Sequence, residues 1–162
     1  MKDESSDTSI YEIKKSELNT PIIFAGFVGA GLVGPLSVGH IIDKLGMEEI
    51  GYLRSKHLPP STVFMQGRLR HPFRLYSNHD GTVCVIICEI TLRLEGLHDI
   101  VSTILDWAEK KGSHEIVILD GVASTTHDKK AFCAAEEDLC RVMEDNDTVS
   151  YTHLTLPTSD LV

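Results

Sequence analysis

Residues Pro21–Gly34 read PIIFAGFVGAGLVG. Ile22–Ala25 is a continuous apolar run, the pattern of a strand buried on both faces of a sheet. Gly26–Gly34 is a glycine loop. Leu32–Leu45 then has helical spacing, with Pro35 tolerated in a first turn and Gly46 as the stop. A buried strand, a glycine turn and a helix in that order predict an open α/β sheet.

Outward from this unit, Glu49–Leu53 reads as a second strand and Pro59-Pro60 breaks the pattern. Thr62–Met65 and Phe73–Ser77 read as antiparallel strands joined around Gly67. The Asp80-Gly81 step suits a hairpin turn into Thr82–Ile90. Its stretch Val83–Ile87 is the most apolar and is expected at the centre of the sheet. Gly96–Lys111 is the clearest helix: Leu97, Ile100, Val101, Ile104, Leu105 and Ala108 form one apolar stripe. Trp107 stands at the stripe's edge and is expected in the core. Glu115–Leu119 reads as a buried parallel strand ending at Asp120-Gly121. Phe132–Ala135 suits a short strand or a helix start, and Glu136–Asp145 is helical. On the N-terminal side, Ile10–Leu18 is a weak strand behind a flexible polar tail, residues 1–9. Strands alternating with helices, with one antiparallel excursion, predict a three-layer α/β/α fold with a mixed sheet.

Gly29, Gly31 and Gly34 make a literal G-x-G-x-x-G. Three readings are open: close packing of the helix on the sheet, a loop for some other ligand or partner, or a dinucleotide-binding turn. The last expects an acidic residue at the end of the next strand. That strand is followed instead by Arg54, Ser55 and Lys56, a basic end that suits a 2′-phosphate and keeps the reading open. The candidate ligand site is the loop residues Gly26, Gly29, Gly31 and Gly34 together with Asp120. No catalytic residue, metal ligand or cofactor is assigned. Ser124, His127 and Asp128 crowd within five positions, where a triad draws its members from separate loops; they read as a solvated loop. Arg68, Arg70, His71 and Arg74 form a basic cluster that reads as an exposed hairpin face or a protein contact. Cys84, Cys88, Cys133 and Cys140 contain no C-x-x-C pair and read as reduced thiols of a cytoplasmic protein. The eight histidines lack the i, i+4 pairing of a helical zinc site.

The chain has 162 residues, 15 Lys and Arg, 24 Asp and Glu, and a net charge of −9. That acidity argues against a nucleic-acid or anionic-membrane surface. No signal peptide is read at the N-terminus. The longest run without a polar side chain, Pro21–Leu36, is shorter than the roughly 20 residues of a spanning helix.

The C-terminal residues 149–162 break from the rest. Val149–Thr158, VSYTHLTLPT, matches one frame of a common transposase-type sequencing adapter, GTC TCT TAT ACA CAT CTG ACG CTG CCG ACG. An index and the next adapter segment continue the frame through Ser159–Val162 to a stop. Residues 149–162 are therefore expected to be a non-native tail, and residues 10–148 an incomplete domain. Without Asp160 the charge is −8.

Several ordered segments carry a resemblance. PIIFAGFVGAGLVG, HIIDKLGMEEIGYLRSKHLPP, RLYSNHDGTVCVIICEI, IVSTILDWAEKKGSHEIVILDGV and AFCAAEEDLCRVMED resemble successive segments of the proteasome assembly chaperone family in its archaeal form. The resemblance implies a phosphorylase/hydrolase-like α/β/α fold with a mixed five-stranded sheet. It also implies a homo-oligomer that assists or adapts to the proteasome α-ring, so the implied partners are proteasome α-subunits and further copies of the chain. In some members a C-terminal hydrophobic-Tyr-X tail docks between α-subunits. The family continues for several dozen residues past the last helix. Without them, a strand edge and an apolar sheet face are expected to stay uncovered, making the 162-residue chain insoluble or partly folded. The competing reading is a nucleotide- or phosphate-binding enzyme, ligase-like or hydrolase-like, using Gly26–Gly34. The chain lacks a P-loop lysine, and no magnesium-binding carboxylate pair is evident.

Overall fold

A computed structural model describes residues 7–14, 17–65, 67–123, 131–135, 141–142 and 149–150. The apolar run expected from the sequence is strand β2, Ile22–Gly26. It is flanked by two parallel neighbours, β7 (Val83–Cys88) and β8 (Glu115–Leu119). Strands β1 (Thr8–Glu12), β3 (Glu48–Ser55) and β6 (Phe73–Ser77) complete a six-stranded sheet, in the order β1-β3-β6-β7-β2-β8. The β1-β3, β3-β6 and β6-β7 pairs are antiparallel, so the sheet is mixed.

Helix α1, Val33–Lys44, lies on one face against β2, β7 and β8. Helix α2, Leu94–Lys110, lies on the other and reaches β1. The α2 side holds the larger core, with Ile23, Leu53, Phe73, Leu75, Ile86 and Ile100 all buried. The α1 side buries Val38, Met47, Val85 and Ile87. These helices and this sheet form one unit of the chain, Met1–Ala123; residues Ser124–Val162 form a second. In the second unit, β9 (Phe132–Cys133) pairs in parallel with β10 (Val149–Ser150). Of the predicted helix over 136–145, residues 141–142 are described and are helical.

Five expectations change, one of them that β8, read as a buried strand, is an edge strand with none of its residues buried. The sheet has six strands, not five, because β1 pairs along β3 from Thr8↔Ser55 to Glu12↔Gly51. That strand starts at Thr8, ahead of the predicted Ile10, and Thr8 is buried with its hydroxyl 2.7 Å from Ser55 Oγ. The strands joined around Gly67 are β4 (Val63–Met65) and β5 (Arg68–Arg70), a separate two-stranded hairpin; Phe73–Ser77 belongs to the main sheet instead. Tight connections of this length favour the nearest strand that can fold back. On α2 the buried face is Gly96, Ile100, Ile104, Trp107 and Ala108, rotated from the predicted stripe. Gly96 sets the rotation: a Cβ there would collide with the ring of His57. Trp107 is therefore central to the buried face, with its Nε1–H donating to Glu12 Oε1 at 3.0 Å. Burial works against the Glu12 carboxylate, but Lys111 at 2.7 Å and the Trp107 N–H outweigh it and lower its pKa.

Cys84 and Cys88 are buried, and burial pushes each thiol from 9.0 up to about 11. A thiol that ionises less readily when folded leaves stability intact below pH 9. Between pH 9 and about 11 the unfolded chain loses protons that the folded chain keeps, so stability falls by roughly 2 kcal/mol per thiol. Urea titrations of the parent and a Cys84→Ala/Cys88→Ala variant at pH 8 and pH 10.5 measure this. A parent with no excess pH sensitivity over the variant contradicts it.

Candidate functional site

The parallel strands β2 and β8 end side by side, with Gly26 opposite Leu119. The glycine loop and Asp120 therefore leave the sheet at one edge, where open α/β sheets commonly bind ligands. There Gly26 meets Gly34 and Gly29 meets Asp120, while Gly31 lies in the loop beside Val33. Gly26 and Gly34 lie in backbone contact: a Cβ on Gly26 would strike the Gly34 carbonyl and Val38. A Cβ on Gly34 would stand 2.6 Å from Phe27 O and 2.7 Å from Leu119 O. Gly31 takes φ 66°, and Leu32 after it takes φ 57°, a left-handed conformation that is rare for a branched side chain. Asp120 presses its carboxylate against Gly29, with Oδ2 3.0 Å from where a Cβ would stand. Its Oδ1 accepts the Gly121 N–H at 2.7 Å.

This geometry bears on chemistry. Turns that bind phosphate aim free backbone N–H groups at the anion. Here a carboxylate lies against the loop and takes one of the nearby N–H groups itself. The approach of α1 to the strand ends accounts physically for Gly26 and Gly34.

The predicted basic cluster divides. Arg68 and Arg70 are on the β5 strand of the hairpin, and Arg70 Nη1 pairs with Glu49 Oε2 at 2.9 Å. Arg74 is not on an exposed face, a correction to the sequence reading: its side chain is 1% exposed. It donates to Glu89 Oε2 at 2.5 Å, to Tyr76 Oη at 2.9 Å and to the His71 carbonyl at 2.6 Å. Burial opposes the charged guanidinium, but Tyr76 and Glu89 outweigh it and raise its pKa further. Strand β6 is buried on both faces, so an arginine within it must carry its own counter-charge.

Ser124, His127 and Asp128 lie outside the described residues. A grouping that spacing could not reveal is Asp7, His57 and Asp99, whose ligand atoms lie within 4.8 Å of one another. Asp7 stands just before β1, His57 just after β3 and Asp99 on α2, and Asp7 already pairs with Lys56. Among the described residues, no helix is long and apolar enough to cross a membrane.

Several surfaces expose apolar side chains. On the hairpin, Phe64 (72% exposed) and Leu69 (70%) face each other across the strands. On α2, the rotation leaves Leu94, Leu97, Val101 and Leu105 outward, with Leu94 88% exposed. Strand β8 adds Ile118, which is 64% exposed.

An open mixed α/β domain with helices on both faces and apolar ridges turned outward is the class these features define. The chain belongs to the PAC2 family, whose model matches residues 23–159. The uncharacterized protein MJ0106 of Methanocaldococcus jannaschii is 27% identical over 128 residues, covering 79% of this chain and 53% of that protein. A crystal structure of a Thermoplasma acidophilum protein with unknown function superposes with a TM-score of 0.79 at 32% identity, covering 86% of this chain and 58% of that one. Pyrococcus furiosus PbaA, an archaeal homolog of proteasome-assembly chaperone, superposes with a TM-score of 0.76 at 21% identity, covering 92% and 65%. The chain thus spans little more than half the length of the first two.

Proposed function

We propose that this chain is part of a non-catalytic chaperone or adaptor of proteasome assembly. It acts as a homo-oligomer in contact with proteasome α-subunits. The observation that carries the reading is membership of the PAC2 family together with the fold shared with PbaA. The outward apolar surfaces of α2 and the hairpin support action by contact rather than by chemistry. The Asp120 carboxylate against the glycine loop weighs against the phosphate-binding alternative. The full-length protein is expected to retain the same organism's proteasome α-subunit in a pull-down, and an empty pull-down overturns the reading. ATP, NADPH and inorganic phosphate are each expected to leave its thermal midpoint unchanged. A saturable upward shift with any of them favours the enzyme alternative.

We also propose that residues 10–148 are an incomplete domain and residues 149–162 translated adapter. Ile118 pairs in register with Ala25 on the α2 side of the sheet, yet Ala25 is buried and Ile118 is exposed. Further sheet or helix beside β8 would cover it. Resequencing the locus from unfragmented DNA is expected to depart from the adapter frame near codon 148. Native codons for these fourteen residues overturn that reading.

A further inference from the structure

We infer that Asp7, His57 and Asp99 form a site for one divalent transition-metal ion, of which Zn²⁺ fits best. The ion clips the start of β1 to the end of β3 and to α2. The inference stands apart from the proposed function and needs nothing from it.

The fold brings the three donors together. One ligand atom from each residue lies within 4.8 Å of the other two. The strand pairing places Asp7 and His57. The Lys56 N–H donates to the Asp7 carbonyl at 3.1 Å, which carries the β1–β3 ladder one bond further. The His57 N–H donates to Ser55 Oγ at 3.1 Å, and the same hydroxyl lies 2.7 Å from Thr8 Oγ1. The imidazole is wedged against α2 at Gly96, where a Cβ would collide with it. Asp99 follows Gly96 by one helical turn and shares its face. The contact that sets the rotation of α2 therefore also sets Asp99 beside His57.

The distances suit a metal better than a hydrogen bond. His57 Nε2 stands 3.4 Å from Asp99 Oδ2. That is beyond the roughly 2.7–3.2 Å of an N–H···O hydrogen bond. It matches the edge of a tetrahedron, about 3.4 Å, whose ligands lie about 2.0–2.1 Å from a central zinc. The widest donor separation, at most 4.8 Å, closes to that edge by a movement of about 1.4 Å. Asp7, with its side chain 42% exposed, has room to make it.

Charge points the same way. Two carboxylates this close repel each other, and a dication relieves the repulsion. Lys56 now pairs with Asp7, but both partners are largely in solvent. An exposed pair of this kind holds weakly, so a metal displaces it. One imidazole nitrogen with two carboxylate oxygens suits zinc and its neighbours, whereas magnesium and calcium favour oxygen ligands alone. Three protein donors leave a fourth position to water. Glu95, one turn before Asp99, lines a cavity of about 200 Å³ together with His57, which gives that water room. An ion here ties an edge strand to the sheet and to a helix. The unfolded chain does not hold the three donors in place, so binding stabilises the fold.

The test uses the full-length protein, dialysed against EDTA and titrated with ZnCl₂ by calorimetry at neutral pH. One ion per chain is expected, with a Kd in the micromolar range or tighter. The thermal midpoint is expected to rise saturably with Zn²⁺ and to ignore Mg²⁺ at the same concentration. Asp7→Asn, Asp99→Asn and His57→Gln each remove a donor while nearly keeping side-chain volume. Each is expected to weaken Zn²⁺ binding about tenfold or more. The two aspartate variants change exposed side chains and are expected to keep the parent's circular dichroism spectrum, so they carry the test should His57→Gln unfold. Lys56→Met removes the competing ammonium and is expected to bind Zn²⁺ more tightly, which an ion-pair network without a metal does not predict. His79→Gln alters a histidine outside the cluster and is expected to leave the affinity unchanged. A folded parent that binds no Zn²⁺ overturns the inference. So does binding that survives both Asp7→Asn and Asp99→Asn, because the metal then sits on other side chains.

Discussion

Arg74→Ala lowers the unfolding free energy by about 3–5 kcal/mol, the usual consequence of removing one partner of a buried ion pair. The guanidinium is held by three oxygens, from Glu89, Tyr76 and the His71 backbone, and Nη2 also lies 3.4 Å from Met65 Sδ. Alanine leaves the Glu89 carboxylate, itself 25% exposed, without its cation, and strips the other two oxygens of their donor. The pair as such is worth less than its rupture. Arg74→Met/Glu89→Leu, which removes both charges and keeps apolar volume, is expected to recover most of the loss. Urea unfolding of the parent, the single variant and the double variant measures both effects. A single variant within about 0.5 kcal/mol of the parent, as for a surface arginine, refutes the assignment. The same change loosens the hairpin from the sheet, because Met65 at the end of β4 and His71 just after β5 both meet Arg74. Hydrogen exchange across residues 63–70 is therefore expected to accelerate more than in the core.

Gly34→Ala and Gly39→Ala lie five positions apart on α1 and are expected to act in opposite directions. At Gly34 the added methyl meets backbone on both sides, 2.6 Å from Phe27 O and 2.7 Å from Leu119 O. Backbone cannot rotate away as a side chain does, so the first turn of the helix must lift from the strand ends. Overpacking of this kind costs about 1–3 kcal/mol or more. At Gly39 nothing lies within 4 Å of the added atom. There alanine gains the helix-propensity difference, up to about 1 kcal/mol. Thermal midpoints for the two variants give the comparison. Equal shifts would mean that the close approach of α1 to the sheet does not govern stability.

Much of the fold is legible in one dimension because β2, β7 and α2 are strongly patterned segments. The unbroken apolar runs Ile22–Ala25 and Val83–Ile87 predict interior strands, and both are interior. The helices over Leu32–Leu45 and Gly96–Lys111 appear within two residues of their predicted limits. The rotation of α2 was not legible. Its sequence carries apolar residues over more than half its circumference, and the choice among them depends on His57 packing against Gly96. The fate of Arg74 was equally hidden. It is next to other basic residues in the chain, but the strand alternation and the acid that meets it, Glu89, come from the three-dimensional pairing of β6 with β7. One signal was available: an arginine between Phe73 and Leu75 in an apolar strand needs an anion nearby. At the glycine loop, spacing identified the residues, while only contacts distinguish a packing glycine such as Gly34 from Gly31, whose φ is 66°.

The place of β2 in the sheet also sets a schedule. Ile22 pairs with Val83 on one side and Glu115 on the other, so an early segment waits for two late ones. Loop closure over such separations is slow, and local pairings such as β4 with β5 and β6 with β7 form first. During synthesis the most apolar N-terminal strand has emerged long before the residues that cover it. A nascent chain halted before Glu115 exposes one flank of β2 however long it waits. Folding of this unit is thus timed by the ribosome's progress to β8, and the interval before it is the period of greatest risk for aggregation.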